Sequence, residues 1–139
     1  MRRAGFVALV FGVAVLAVAP AYAAATNYHV NMTAEEETPP GPSGAKGTAD
    51  FVIDADAGTV CYTLAYSGIN KPTMAHIHQG AKGTAGPPVV NLEVDKNGDK
   101  GCVAGDKAKL AEINKTPSAY YANVHTADYP KGAIRGQLG

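Results

Sequence analysis

Residues 59–66, T-V-C-Y-T-L-A-Y, decide the fold class because apolar side chains alternate along them. Four of these side chains recur at every second residue: Val60, Tyr62, Leu64 and Tyr66. A period of two is that of a β-strand with one buried face. Residues 49–53 alternate in the same way, and the turn-forming residues 54–58 separate the two runs. Together they predict a β-hairpin.

The rest of the chain beyond its N-terminal segment also predicts short strands. Alternating or β-branched runs occur at residues 27–33, 74–78, 89–94, 102–103, 119–126 and 133–138. Asn97-Gly98 predicts a type I′ hairpin turn, and Asp106 is placed to cap the single predicted helix, residues 107–114. Short strands with frequent turns predict an all-β, antiparallel β-sandwich with one short helix.

Residues 34–47 interrupt the strand pattern. They combine a run of three glutamates, Glu35, Glu36 and Glu37, with three prolines and three glycines. This composition predicts an exposed loop. The glutamates are interpreted as a solvated charge run and not as a catalytic pair.

The N-terminus predicts a cleavable signal peptide over residues 1–23. Arg2 and Arg3 precede an uncharged apolar run, residues 4–19, and Ala21 and Ala23 form a small-residue cleavage site. This run of 16 residues is shorter than the roughly 20 that span a bilayer. The mature domain is therefore expected to be residues 24–139, periplasmic or secreted, with no membrane span after signal removal.

Charge and motif content exclude several classes of function. Without Arg2 and Arg3 the chain keeps 10 basic against 12 acidic residues, a formal charge of −2, so nucleic acid is not an expected partner. The sequence contains neither a G-x-S-x-G motif nor a glycine-rich phosphate loop. Hydrolase and nucleotide chemistry are therefore poorly supported.

The chain contains two cysteines, Cys61 and Cys102. In an oxidising compartment such a pair favours a disulfide over two free thiols. The pair is interpreted as structural because the spacing is not that of a C-x-x-C redox motif.

The histidines suggest a metal site. His76 and His78 lie two residues apart, so both imidazoles project from one face of an extended strand. His125 occupies another predicted strand, and the three meet if those strands are neighbours. A three-histidine site suits copper or zinc, with copper preferred here, whereas these side chains could equally form a hydrogen-bonded polar face. His29 is a weaker fourth candidate.

Two blocks of sequence, M-A-H-I-H-Q-G-A-K-G-T-A-G-P-P-V-V-N-L (74–92) and Y-Y-A-N-V-H-T-A-D-Y-P-K-G-A-I-R-G-Q-L (120–138), closely resemble the CHRD (chordin-type) domain family. Upstream, E-T-P-P (37–40) and V-C-Y-T-L (60–64) extend the similarity over nearly all of the mature chain. The resemblance implies an extracellular or periplasmic β-sandwich, single in bacteria and repeated in the animal protein chordin. It implies no single activity, and the animal members suggest binding to a secreted or cell-surface protein.

The histidine arrangement is also similar to the copper half of the Cu,Zn superoxide dismutase sandwich. That looser similarity implies copper ligands at His76, His78 and His125, and a catalytic role for Arg135 in holding an anionic substrate. A bridging histidine and a zinc aspartate are not recognisable, so only a copper-only site would remain. The leading hypothesis is copper handling or redox protection. The alternatives are a non-enzymatic interaction module and a copper-only dismutase-like enzyme.

Overall fold

The structure contains the short strands that the alternating runs predict. The computed structural model describes residues 24–139, and the predicted signal peptide, residues 1–23, lies outside the described residues. Within this range the strands are β1 (Thr26–Thr33), β2 (Lys46–Asp54), β3 (Thr59–Ser67), β4 (Met74–Gln79), β5 (Pro88–Asn91), β6 (Lys100–Ala104), β7 (Tyr120–His125) and β8 (Ile134–Gln137). Helices are α1 (Val94–Asn97), α2 (Lys107–Lys115) and a 3-10 turn (Pro117–Ala119).

All strands belong to one eight-stranded sheet, in the order β5-β4-β7-β8-β1-β2-β3-β6. Neighbouring strands are antiparallel, and the junction of β8 with β1 is a single residue pair, Arg135 with Thr33. Buried side chains on either side of this junction, such as Phe51 of β2 and Ile77 of β4, contribute to one hydrophobic core. The predicted class, an all-β antiparallel sandwich, is confirmed as a nearly closed sheet around this core.

The hairpin of β2 and β3 shows how the alternation positions the core. Val60, Tyr62 and Leu64 are buried, whereas Thr59 and Thr63, on the opposite face of the strand, are exposed. The turn is closed by the Asp54 carboxylate, which accepts a hydrogen bond of 2.8 Å from the backbone N–H of Ala57. The hairpin prediction is therefore confirmed at the level of individual side chains.

Helix α2 confirms the predicted helix and its cap. The Asp106 carboxylate accepts a hydrogen bond of 2.9 Å from the backbone N–H of Lys109, which satisfies a donor that the first helical turn leaves free. Leu110 and Ile113 are fully buried, so the helix packs its apolar side onto the core. None of the helices in residues 24–139 has the length and apolar character needed to cross a bilayer.

The hairpin turn predicted at Asn97-Gly98 is wrong. β5 and β6, the strands on either side of it, occupy opposite edges of the sheet. The chain between them must cross from one edge to the other, and it does so through the one-turn helix α1, which ends at Asn97. Gly98 has a φ of 71°, a conformation that favours glycine at a helix end as well as in a hairpin turn.

A disulfide joins Cys61 of β3 to Cys102 of the edge strand β6, as predicted. The two residues are direct partners in the β3–β6 ladder. The bond therefore holds the edge strand β6 to the sheet, and it indicates an oxidising compartment.

Replacing both cysteines, as Cys61→Ala/Cys102→Ala, should lower the free energy of unfolding by about 3 to 4 kcal/mol, the loop-closure entropy of a cross-link of this span. The relevant separation is 41 residues. Urea unfolding followed by circular dichroism measures the change. Thr63→Ala/Lys100→Ala, at another partner pair of the same ladder, is the matched control and should cost at most about 1 kcal/mol. A cysteine variant no less stable than this control would contradict the prediction.

Candidate metal centre

The three predicted ligand histidines project from the outer faces of two neighbouring strands. Along β4, Ala75 and Ile77 are buried in the core, so the alternate residues His76 and His78 point away from it. β7 pairs with β4 antiparallel, with His125 opposite Met74. The adjacency that the sequence left open is therefore present, and it brings all three imidazoles to one outer surface.

The imidazoles converge closely enough to share one ion. One ring nitrogen from each of His76, His78 and His125 lies within 4.8 Å of the others. The shortest approach joins Nδ1 of His76 to Nε2 of His125 at 3.2 Å. We refer to these residues as the three-histidine cluster. Within residues 24–139, no other set of three or more histidine, cysteine, aspartate or glutamate side chains lies close enough together to hold one metal ion.

Backbone carbonyls determine which nitrogen of two rings faces the centre. Nδ1 of His78 lies 2.8 Å from the carbonyl oxygen of Gly86, and Nδ1 of His125 lies 3.0 Å from that of Pro130. A carbonyl oxygen only accepts hydrogen bonds, so each Nδ1 carries the proton and each Nε2 keeps its lone pair. Metal-binding histidines are held by this type of outer hydrogen bond.

Gly86 must be glycine for the His78 contact to form. A Cβ atom built at Gly86 would lie 1.7 Å from the carbonyl oxygen of Gln79. The backbone of the β4–β5 loop can therefore approach the strand only because residue 86 has no side chain. The hydroxyl of Tyr121 also accepts a hydrogen bond of 3.2 Å from the backbone N–H of Gly86.

Burial keeps the cluster in the neutral form that a metal requires. It lowers the pKa of His76 to about 4, and the neighbouring His125 and His78 rings add to this effect. Burial also lowers the pKa of His78, against the opposing interactions with Gly86 and Asn123, and the pKa of His125, against the opposing hydrogen bond to Pro130. Burial thus favours the neutral form of all three imidazoles, which is the form that donates a lone pair to a metal.

Tyr121 links the cluster to Arg135. Its ring stacks on His78 with centroids 4.8 Å apart, and the Arg135 guanidinium carbon lies 3.4 Å from the Tyr121 ring centroid. Arg135 is 1% exposed and donates hydrogen bonds to the carbonyl oxygens of Thr84 (2.9 Å) and Ala81 (2.8 Å). These contacts hold the β4–β5 loop over the cluster. A substrate-binding role for Arg135 stays a prediction.

His29 lies outside the three-histidine cluster. It is on β1, separated from β7 by β8, and its Nδ1 is 2.6 Å from a carboxylate oxygen of Asp50 on β2. The side chain is 59% exposed. The structure therefore gives this weak metal candidate the role of a surface histidine paired with an aspartate.

The interpretation of Glu37 as part of a solvated charge run is wrong. Its exposed fraction is 5%. The loop from 34 to 45 closes on itself, with the backbone N–H of Gly41 donating to the carbonyl oxygen of Ala34 at 2.9 Å, and the Glu37 carboxyl lies beside Asn123 and Arg135. The Glu37 carboxyl packs against the backbone of Gly132, whose φ of 130° is a conformation that favours glycine. Sequence reasoning missed this residue, although it opens the E-T-P-P segment.

Four buried polar atoms on this outer surface have no hydrogen-bond partner among the described residues. They are Glu37 Oε1, His78 Nε2, Asn123 Oδ1 and Arg135 Nε. Asn123 pairs with Arg135 in the β7–β8 ladder and neighbours the side chains of both Glu37 and His78, so the four groups belong to one neighbourhood. Buried polar atoms are normally satisfied, and a ring nitrogen of His78 lies within 4.8 Å of ring nitrogens of two other imidazoles, an arrangement that suits a metal ion.

Fold and site together define an antiparallel β-sandwich with a three-histidine cluster on its outer surface. The family profile of the CHRD domain matches residues 28–138, most of the chain. The protein belongs to the CHRD domain family, as its sequence resemblance predicted. No curated protein and no solved structure matches the chain. The matched span includes the whole three-histidine cluster and both cysteines.

Because of Glu37, the free energy of unfolding should decrease as pH rises. Burial raises its pKa to about 7, against the opposing effects of Asn123 and Arg135. Between its unfolded pKa of about 4.5 and about 7, the native state holds a proton that the unfolded chain has lost, so stability decreases with pH. Glu37→Gln removes this effect. The free energy of unfolding of this variant, relative to wild type, should therefore rise by up to roughly 3 kcal/mol between pH 4.5 and about pH 7.

The comparison uses urea unfolding of metal-free protein from pH 4.5 to pH 7.5, a range set by these pKa values. The cluster histidines have lowered pKa values and therefore act in the opposite direction, but they are common to both proteins and cancel in the difference. Glu36→Gln, on the same loop, is the control because Glu36 is partly exposed and paired with Lys82. Parallel wild-type and Glu37→Gln profiles would show that Glu37 does not retain its proton.

Proposed function

We propose that this domain is an exported copper-binding protein that holds the ion through His76, His78 and His125 and serves in copper handling or redox protection. The observation that supports it best is the convergence of three imidazoles, with one ring nitrogen of each within 4.8 Å of the others. The hydrogen bonds to the carbonyl oxygens of Gly86 and Pro130 orient two of these three rings. A metal-binding site requires ring nitrogens that are already oriented toward the ion, whereas a purely structural polar face has no such requirement.

The ligand type favours copper. Calcium and magnesium prefer oxygen ligands, whereas neutral imidazole suits copper and zinc. Between these two, divalent copper binds a given nitrogen site more tightly than zinc in the general affinity order of first-row metals. Three protein ligands leave a coordination position open, and such a site can hold copper in either oxidation state.

The position of the cluster favours an exchangeable ion over a structural one. The cluster lies on the outer surface of the sheet, away from the hydrophobic core. His78 and His125 are buried, but His76 keeps an intermediate exposure, so one side of the site is accessible from solvent. The disulfide agrees with a periplasmic or secreted location.

Copper titration of purified residues 24–139 tests the proposal. Each of His76→Ala, His78→Ala and His125→Ala should lower Cu(II) affinity by at least about 10- to 100-fold. Removing a residue that only hydrogen-bonds to a metal ligand lowers affinity by this factor, and removing the ligand itself should lower it at least as much. Electron paramagnetic resonance should detect nitrogen ligands in the wild type. His29→Ala is the matched control, since this histidine is exposed and outside the cluster, and its copper affinity should not change.

Two results would contradict the proposal. Tighter binding of zinc than of copper would exclude copper as the preferred metal. Absence of binding to either metal, or full copper affinity in the triple alanine variant, would exclude a metal function for the cluster. The histidines would then be hydrogen-bonding residues that hold loops onto an interaction module.

A further inference from the structure

Met74 extends the outer row of β4 that carries two of the histidines. It precedes His76 by two residues and His78 by four, so the three side chains project from the same face of the strand. It is also the direct partner of His125 in the β4–β7 ladder. Met74 therefore neighbours members of the three-histidine cluster both along its own strand and across to the next.

The exposure of Met74 is unusual for its residue type in this domain. The side chain is 44% exposed, and Val52 is the only other large hydrophobic residue exposed among residues 24–139. The other methionine in this range, Met32, is 1% exposed and belongs to the core. Packing therefore accounts for Met32 but does not account for a flexible thioether at the accessible edge of the cluster.

Geometry allows the thioether to reach the site. Directly paired residues of an antiparallel ladder have Cβ atoms about 4.5 to 5.5 Å apart, and the methionine side chain has three rotatable bonds. The ring of His125 already turns along the strands toward His76, to 3.2 Å. A methionine beside it can approach the same centre from the solvent side.

We infer that Met74 supplies a thioether ligand to Cu(I), so that the cluster and Met74 together form a site of three nitrogens and one sulfur for the reduced ion. This inference rests on the proposed copper function and deepens it by naming the oxidation state. Thioether sulfur is a soft ligand that selects Cu(I), whereas imidazole accepts both oxidation states. Cu(II) binding thus depends on the histidines alone, and Cu(I) binding depends on Met74 as well.

The test compares both oxidation states in wild type, Met74→Leu and Met32→Leu. Cu(I) affinity is measured anaerobically by competition with bicinchoninate, and Cu(II) affinity is measured by direct titration. Met74→Leu should weaken Cu(I) binding by about tenfold or more while leaving Cu(II) binding unchanged. Met32→Leu changes a buried methionine of the core and should leave both affinities unchanged.

X-ray absorption gives a second, direct readout. In selenomethionine-labelled Met32→Leu protein, residue 74 is the only labelled position within residues 24–139. The Cu(I) form should then show a copper–selenium scattering path, and the Cu(II) form should not. Unchanged Cu(I) affinity in Met74→Leu, or absence of that path while the histidine variants still lose copper, would overturn this inference and leave the proposed function intact. Failure of the wild type to bind copper would overturn both.

Discussion

The burial of both faces of β7 is the constraint on which the candidate site depends. All six residues of this strand are buried. The inner face, represented by Ala122 and Val124, joins the hydrophobic core, whereas the outer face presents Tyr121, Asn123 and His125. Packing alone satisfies the inner face, but a buried polar face also needs hydrogen-bond partners. The loops around β7 must therefore cover it and supply acceptors.

Those loops use their backbone for this purpose. Carbonyl oxygens of Gly86 and Pro130 accept from His78 and His125, and others in the β4–β5 loop accept from Arg135. The contacts that satisfy the buried polar face thereby fix the protonated nitrogen of each imidazole and direct the other nitrogen to a common centre. Stability of the loops and orientation of the ligands are consequences of the same hydrogen bonds, and the absent side chain at Gly86 permits the one with His78.

Sequence patterns led to wrong predictions where contacts with residues far along the chain outweighed the local preference of a short segment. Three consecutive glutamates are typical of a solvated loop, but Glu37 is buried because its loop closes toward Asn123 and Gly132, far along the chain. Asn97-Gly98 is a strong hairpin signal only if its flanking strands pair with each other. They pair with β4 and β3 instead, so the same two residues end a short helix in a connection between sheet edges.

The sequence by itself determined the alternation of core residues, the cap of α2, the disulfide partners and the shared face of His76 and His78. Each follows from a period of two, a capping residue or a count of cysteines. Only the tertiary structure decided that His125 joins them. Alternation shows which face of its own strand a residue occupies, but it does not show which strand lies alongside. The pairing of β4 with β7, and the register that sets Met74 opposite His125, arise from packing all the strands around one core.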